Sequence, residues 1–242
     1  MYRFFLFLIL LSFVSCSEEE KAKLDDAVDY SSMDLSNPPD TLWGVDVSHY
    51  QGRIDFDKLE EGAHFVILRA TIGETGKCDQ RFYGNYAKAA KSHLLVGFYH
   101  FFYFHCDGEL QAKIFLDATN EKRNNFPLII DFEESTVVNK RKESNIDTST
   151  YHLRQMVDYL KCEGKEVMIY SNRHCYKRYG LEEKFSDVKL WVADYNSMFV
   201  TEDFPNCYIQ QYACDGKVYG IDADVDLNVI VDSKMIIIPE DD

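Results

Sequence analysis

Pro127-Leu128-Ile129-Ile130-Asp131-Phe132-Glu133-Glu134 is the stretch on which the reading of this chain turns. It is an apolar run that ends in acid. Side chains alternate across a strand, so Ile129, Asp131 and Glu133 fall on one face and Leu128, Ile130 and Phe132 on the other. Two carboxylates held a strand repeat apart, roughly 6–7 Å at the backbone, can flank one bond. The charge of each raises the proton affinity of its neighbour. Acid/base chemistry needs that arrangement. A strand that simply runs into a polar loop produces the same triplet, so the segments on either side must decide.

Working outward, residues 94–104 read as a strand and residues 109–122 carry Leu110, Ile114 and Phe115 at helical spacing. Farther upstream come a strand over Trp43-Gly44-Val45-Asp46-Val47, a short helix at residues 57–60, a strand at 64–70 and a helix at 81–92. Downstream, residues 148–161 repeat the helical period with Leu153, Met156, Val157 and Leu160; a strand at 166–171 and a short helix at 173–179 follow. Three further strand runs, 190–194, 208–212 and 225–231, have no helical pattern of useful length between them. This order predicts one α/β domain, a single irregular β/α barrel of eight strands, five followed by helices and the last three without.

Such barrels gather their chemistry at the C-terminal ends of the strands. Asp46, Arg69, Tyr99, Asp131, Glu133, Tyr170 and Asp194 each lie at or near such an end, and Gln210 on the seventh strand is a further candidate contact. Asp224, Asp226 and Asn228 share one face of the last strand, whose start reaches the mouth if that strand runs antiparallel.

A formal charge of −15 leaves no basic face for phosphate contacts, which sets nucleic acid aside. The 16 Tyr and 17 Phe supply rings of the kind that sugar-binding clefts use, and also ordinary core. Neither a metal nor another cofactor is expected. The seven histidines are scattered, no HExxH or CxxC occurs, and His100 on an apolar strand reads as a satisfied core histidine.

The chain opens with Arg3 and an apolar run, residues 4–14, in the layout of a secretory leader too short to span a bilayer. Phe13-Val14-Ser15-Cys16 resembles a bacterial lipobox, with Phe13 where Leu is usual. The resemblance implies a signal peptide at residues 1–15, lipidation at Cys16 and a cell-envelope lipoprotein of the outer membrane. Ser17-Glu18-Glu19-Glu20 resembles the acidic tag that sends some lipoproteins to the outer face. Residues 16–40 are polar, contain Pro38-Pro39 and read as a disordered tether; the barrel is expected over 41–235 and an acidic tail over 236–242. Six cysteines follow Cys16. Cys78 and Cys106 are the favoured disulfide pair because they follow adjacent strands at the mouth. Cys207 and Cys214 are excluded as a pair, since seven extended residues span roughly 23 Å.

Six segments together resemble glycoside hydrolase family 25, the Chalaropsis-type lysozymes, which are N-acetylmuramidases. They are Gly44-Val45-Asp46-Val47-Ser48-His49-Tyr50-Gln51-Gly52 with Ile54-Asp55, Phe65-Val66-Ile67-Leu68-Arg69-Ala70-Thr71, and Val96-Gly97-Phe98-Tyr99-His100-Phe101. Then come Pro127 to Glu133, Leu190-Trp191-Val192-Ala193-Asp194-Tyr195 and Val225-Asp226-Leu227-Asn228. The resemblance covers residues 44–231 and implies the same barrel, with three terminal strands lacking helices. It implies Glu133 as general acid/base, Asp131 as its acidic partner, Asp46 and Asp226 as further acidic members, and Tyr99 as a cleft tyrosine. Arg69 and Ile72 depart from the Lys and Glu common in that part of the family.

The implied reaction is hydrolysis of the β-1,4 bond between N-acetylmuramic acid and N-acetylglucosamine in peptidoglycan by a monomer. Burial and neighbouring Asp131 are expected to raise the pKa of Glu133. Retention with help from the substrate acetamido group is favoured, and direct attack by Asp131 or Asp46 stays open. Two other readings remain at this point: a non-catalytic glycan-binding lipoprotein on the same scaffold, and a glycosidase of another acetamido-sugar polymer.

Overall fold

Among the described residues there are nine strands, all but the shortest built from runs with Val, Ile or aromatic residues, with helices between the early ones. The computed structural model describes residues 42–134, 139, 145–196, 203–232 and 236–237. The expected leader, Cys16 and the tether lie outside the described residues. The strands are β1 (Leu42–Val47), β2 (Phe65–Ile72), β3 (Lys77–Cys78), β4 (Leu95–Phe101), β5 (Leu128–Asp131), β6 (Val167–Asn172), β7 (Lys189–Ala193), β8 (Cys207–Val218) and β9 (Ile221–Ile230). Eight of them close in the order β1-β9-β8-β7-β6-β5-β4-β2, with β2 returning to β1. The pairs are parallel from β1 through β8, and β9 lies antiparallel to both β8 and β1. β3 stays outside the barrel, antiparallel to the last residues of β2.

The helices are α1 (Phe56–Leu59), α2 (Phe82–Ala89), α3 (Gly108–Thr119), α4 (Ile146–Cys162), α5 (Arg173–Arg178) and α6 (Leu181–Lys184). Among the described residues none follows β7, β8 or β9, as the sequence pattern predicts. Side-chain caps start three of them: Asp107 accepts from Leu110 N, Asn145 from Asp147 N and Asn172 from Cys175 N. Along α4, Leu153, Met156, Val157 and Leu160 are buried, so the 3.6-residue stripe does face the barrel layer.

Two apolar clusters follow directly from strand alternation. Outward residues such as Val45, Val66, Val96, Ile130 and Val192 pack with the helices. Inward residues, among them Phe65, Ile67, Phe126, Ile129, Met168 and Ile209, fill the barrel. Two of those interior rings need space that glycine provides. A Cβ on Gly44 would stand 2.4 Å from the Phe65 ring, and one on Gly97 would stand 3.0 Å from Phe126. Phe65 and Phe126 then lie 5.5 Å apart between ring centres and help to seal the floor.

Two expectations need correction. The acidic tail does not begin at residue 236: Ile236 packs on the interior cluster, and Ile237 exchanges hydrogen bonds with Asn125, from its N to the Asn125 carbonyl at 2.8 Å and from Asn125 Nδ2 to its carbonyl at 3.2 Å. Half-buried Ile236 and the two hydrogen bonds of exposed Ile237 hold this short piece beneath the barrel. Nor do Cys78 and Cys106 form a disulfide; no disulfide links any of the six described cysteines. Following adjacent strands does not bring their sulfurs together, because β3 carries Cys78 outward, where its Sγ lies 3.5 Å from Tyr83 Oη, whereas Cys106 is buried ahead of α3. Cys207 and Cys214 lie on one continuous strand, β8, the geometry that keeps them apart.

Candidate active site

The alternation that fills the barrel with apolar side chains below turns polar at the mouth. Inward positions carry Asp46 on β1, Arg69 on β2, Tyr99 on β4, Asp131 on β5, Tyr170 on β6 and Gln211 on β8, and Glu133 follows two residues past Asp131. With Asp226 of β9 they line a cleft of about 430 Å³. Tyr99, Tyr170 and Trp191 form its aromatic floor; each is at least nine-tenths buried.

Asp46 and Asp226 are direct register partners on antiparallel strands. Two carboxylates facing each other repel unless they share a proton, and here they are hydrogen-bonded to one another. Asp46 Oδ2 also accepts from Gln211 Nε2 at 2.9 Å and from Asn228 Nδ2 at 2.8 Å. Each amide is oriented from behind. Gln211 Oε1 accepts from Tyr170 Oη at 3.0 Å and Tyr195 Oη at 2.7 Å, and Asn228 Oδ1 accepts from Trp191 Nε1 at 2.9 Å. Burial raises Asp46 to about 6 against the opposing pull of those amides, and the charge of Glu133 adds to the rise. Asp226 is raised to about 9, by burial first and then by Asp46 and Glu133. Near neutral pH the pair therefore holds one proton between its two carboxyls.

That proton makes folding pH-dependent. The unfolded carboxyl titrates near 3.8 and the folded one near 9, so its contribution to stability is complete below pH ~4. As pH rises to ~9 it is lost at up to about 1.4 kcal/mol per pH unit. Asp226→Asn is expected to flatten this decline. Urea unfolding of both proteins at pH 5 and pH 8 measures it, and equal declines would refute the shared proton.

Asp131 is 6% exposed, and its Oδ1 is buried without a hydrogen-bond partner among the described residues. Its pKa is raised well above the ordinary carboxyl range, first by burial and then by the charges of Glu133 and Asp46, with Arg69 opposing. Asp131 and Glu133 both line the cleft, although β5 itself ends at Asp131. The Glu133 backbone is anchored by Asn139, whose Nδ2 donates to the Glu133 carbonyl at 2.9 Å and to the Phe102 carbonyl at 3.0 Å.

Arg69 reaches the cleft wall, but its guanidinium is committed to Asp79. Nε and Nη2 donate to Asp79 Oδ2 at 3.0 and 2.8 Å, and His49 Nδ1 lies 2.7 Å from the same oxygen. The short strand β3 makes this possible by returning the chain so that Asp79 N bonds the Ala70 carbonyl. Burial alone would raise Asp79; the Arg81 N–H, His49 and Arg69 together hold it below its ordinary value.

Two candidate contacts sit elsewhere. Asp194 lies beside the cleft, not in it: its fully buried carboxylate pairs with Arg173 at 2.5 Å and accepts from Asn196. Gln210 points away from the barrel axis and donates from Nε2 to the Asp194 carbonyl at 2.9 Å. Its neighbour Gln211 holds the inward position, in phase with Ile209. His100 is fully buried between Thr71 Oγ1 at 2.8 Å and Gln111 Oε1 at 3.1 Å, and burial lowers its pKa to about 4. Sequence reasoning missed Gln211, Asp79, Tyr195 and the supporting role of Trp191; only the phase of Ile209 and Gln211 carried a signal.

A cluster of carboxylates over aromatic rings at the open end of a β/α barrel is an arrangement suited to glycoside hydrolysis. Residues 45–221 match the family model for glycosyl hydrolases family 25, and the chain belongs to that family. It is similar to Lysozyme M1 of Streptomyces globisporus, 28% identical over 210 residues that cover 79% of this chain and 69% of that one. A solved family 25 glycosyl hydrolase from Bacillus anthracis superposes with a TM-score of 0.70 at 30% identity, over 78% of this chain and 88% of the other. A bacterial lysozyme from Streptomyces coelicolor gives 0.68 at 26% identity, over 77% and 90%.

Proposed function

We propose that the protein is a lysozyme that hydrolyses the β-1,4 bond between N-acetylmuramic acid and N-acetylglucosamine in peptidoglycan. The observation that carries this reading is Asp131 Oδ1, a buried carboxyl oxygen without a partner among the described residues, beside Glu133 in an aromatic-floored cleft. An acetamido N–H of the substrate would satisfy that oxygen. The lysozymes among the relatives support the same substrate.

In this mechanism Glu133 gives its proton to the leaving glycosidic oxygen. Asp131 holds the 2-acetamido group so that its carbonyl oxygen attacks the anomeric carbon as the C–O bond breaks. Water then attacks from the face the leaving group departed, the bond to the acetamido oxygen breaks and the acetamido group is restored, and the water proton passes to Glu133, so configuration is retained. Asp46, kept anionic by two amides, lies where positive charge develops. Digestion of purified peptidoglycan by the domain from residue 41 onward, read by mass spectrometry, should release fragments with reducing muramic acid and one added water. Reducing glucosamine would move the cut to the other linkage. Binding without cleavage would favour a glycan-binding protein.

The lipobox-like Cys16 extends the proposal to a lipid-anchored enzyme of the outer membrane. Cys16→Ala is expected to release the protein from the membrane fraction, because acyl chains and not a spanning helix would hold it. Retention of the variant in salt-washed membranes would end that reading.

A further inference from the structure

Glu134, the residue after the proposed acid, is used by no step above, yet it is held more tightly than any surface acid needs to be. Its Oε1 accepts from Tyr179 Oη at 2.6 Å and lies 3.2 Å from Arg178 Nε. His174 Nε2 stands 3.8 Å from its other oxygen. Its backbone N–H points at Cys175 Sγ, 3.3 Å away. All four partners belong to α5 or the residue that ends it. Tyr179 is itself fixed, buried edge-on against Phe104 and Phe132 at 5.3 and 5.0 Å between ring centres. The Glu134 side chain remains 21% exposed, so the contact is an ion pair at the rim and not part of the core.

We propose that Glu134 is a positioning residue for the proposed lysozyme reaction, a latch that ties the end of β5 to α5 and so fixes the direction of the Glu133 side chain. β5 ends at Asp131; just beyond it, Phe132 N donates to the Tyr170 carbonyl at 2.9 Å and Ser171 Oγ to the Phe132 carbonyl at 2.9 Å. Two further anchors hold the residues that follow. Asn139 holds the Glu133 carbonyl on one side, and α5 holds Glu134 on the other. Cys175 and the tyrosine hydroxyl have a role in this account: one accepts the N–H and the other grips the carboxylate. A proton donor displaced by an ångström loses rate without losing affinity for the sugar chain, which neighbouring groups bind.

This inference rests on the lysozyme reading, and the two can fail separately. Kinetics on soluble peptidoglycan fragments should show wild-type cleavage; absence of cleavage overturns the lysozyme reading and this proposal with it. Given wild-type cleavage, Glu134→Ala is expected to lower kcat about tenfold, with KM within about twofold. Glu134→Gln, which can still accept from Tyr179 and Arg178, should recover most of that loss. Tyr179→Phe keeps the ring packing, removes only the hydroxyl, and should lower kcat several-fold in the same manner. It also serves as the second variant if Glu134→Ala does not fold. A wild-type kcat in Tyr179→Phe, a loss carried by KM, or no recovery in Glu134→Gln would each overturn the latch.

Discussion

Glu133→Gln is expected to lower kcat on peptidoglycan by about 10²–10⁴, equivalent to about 3–5 kcal/mol of barrier. The amide keeps the shape of the side chain but cannot pass a proton to the leaving oxygen or take one from water. KM should change little, because the substitution leaves the aromatic floor and the surrounding polar groups of the cleft in place. A second readout follows from electrostatics. The charge of Glu133 is one cause of the raised pKa values of Asp46, Asp131 and Asp226, after burial in each case. Its removal should lower all three, which carboxyl-resolved NMR titration measures. Near wild-type activity in Glu133→Gln would falsify the acid assignment, whatever the titration shows.

Asp131→Asn is expected to cost about 10²–10³ in kcat, the loss typical when one pre-organised group at a developing charge is removed. Its effect on the fold should have the opposite sign. Ionised Asp131 is costly in a buried site next to other carboxylates, and its folded pKa lies well above the unfolded value of 3.8. Stability from this group is therefore complete below pH ~4 and falls as pH rises toward the folded pKa. Asp131→Asn escapes that fall and should melt no lower than wild type at pH 8, while the two proteins agree more closely at pH 4. Thermal unfolding at both pH values, paired with activity, separates the chemical role from the structural one. An inactive variant that melts far below wild type at pH 8 would point to a structural carboxylate.

What the sequence revealed and what it withheld divide along a physical line. The carboxylates of β1 and β5 were legible because alternation is a local rule: an apolar strand that ends in acid announces its inward face without reference to any partner. The last three strands were legible for a related reason, since a helix long enough to cover them would have left a 3.6-residue stripe. Gln211 was not, because Gln210 and Gln211 are adjacent and equally polar, so only the phase with buried Ile209 told which of them faces inward. Asp79 was hidden in a different way. It is set by β3, a two-residue strand too short to show any period, and its partners Arg69 and His49 lie 10 and 30 residues away. The cysteine pairing failed because proximity between strands says nothing about where a β3-like excursion takes one of them.

The barrel has a pole at which the chain comes and goes. Leu42 begins β1 at the floor, and Ile236 and Ile237 dock under the same floor, at the end opposite the carboxylates. Anything joined directly before Leu42 or directly after Ile237 meets the barrel at the end away from the opening. From Cys16 to Leu42 the backbone reaches at most roughly 90 Å. A surface holding that cysteine would thus carry the barrel on a cord of fixed maximum length, able to work only on polymer within that radius.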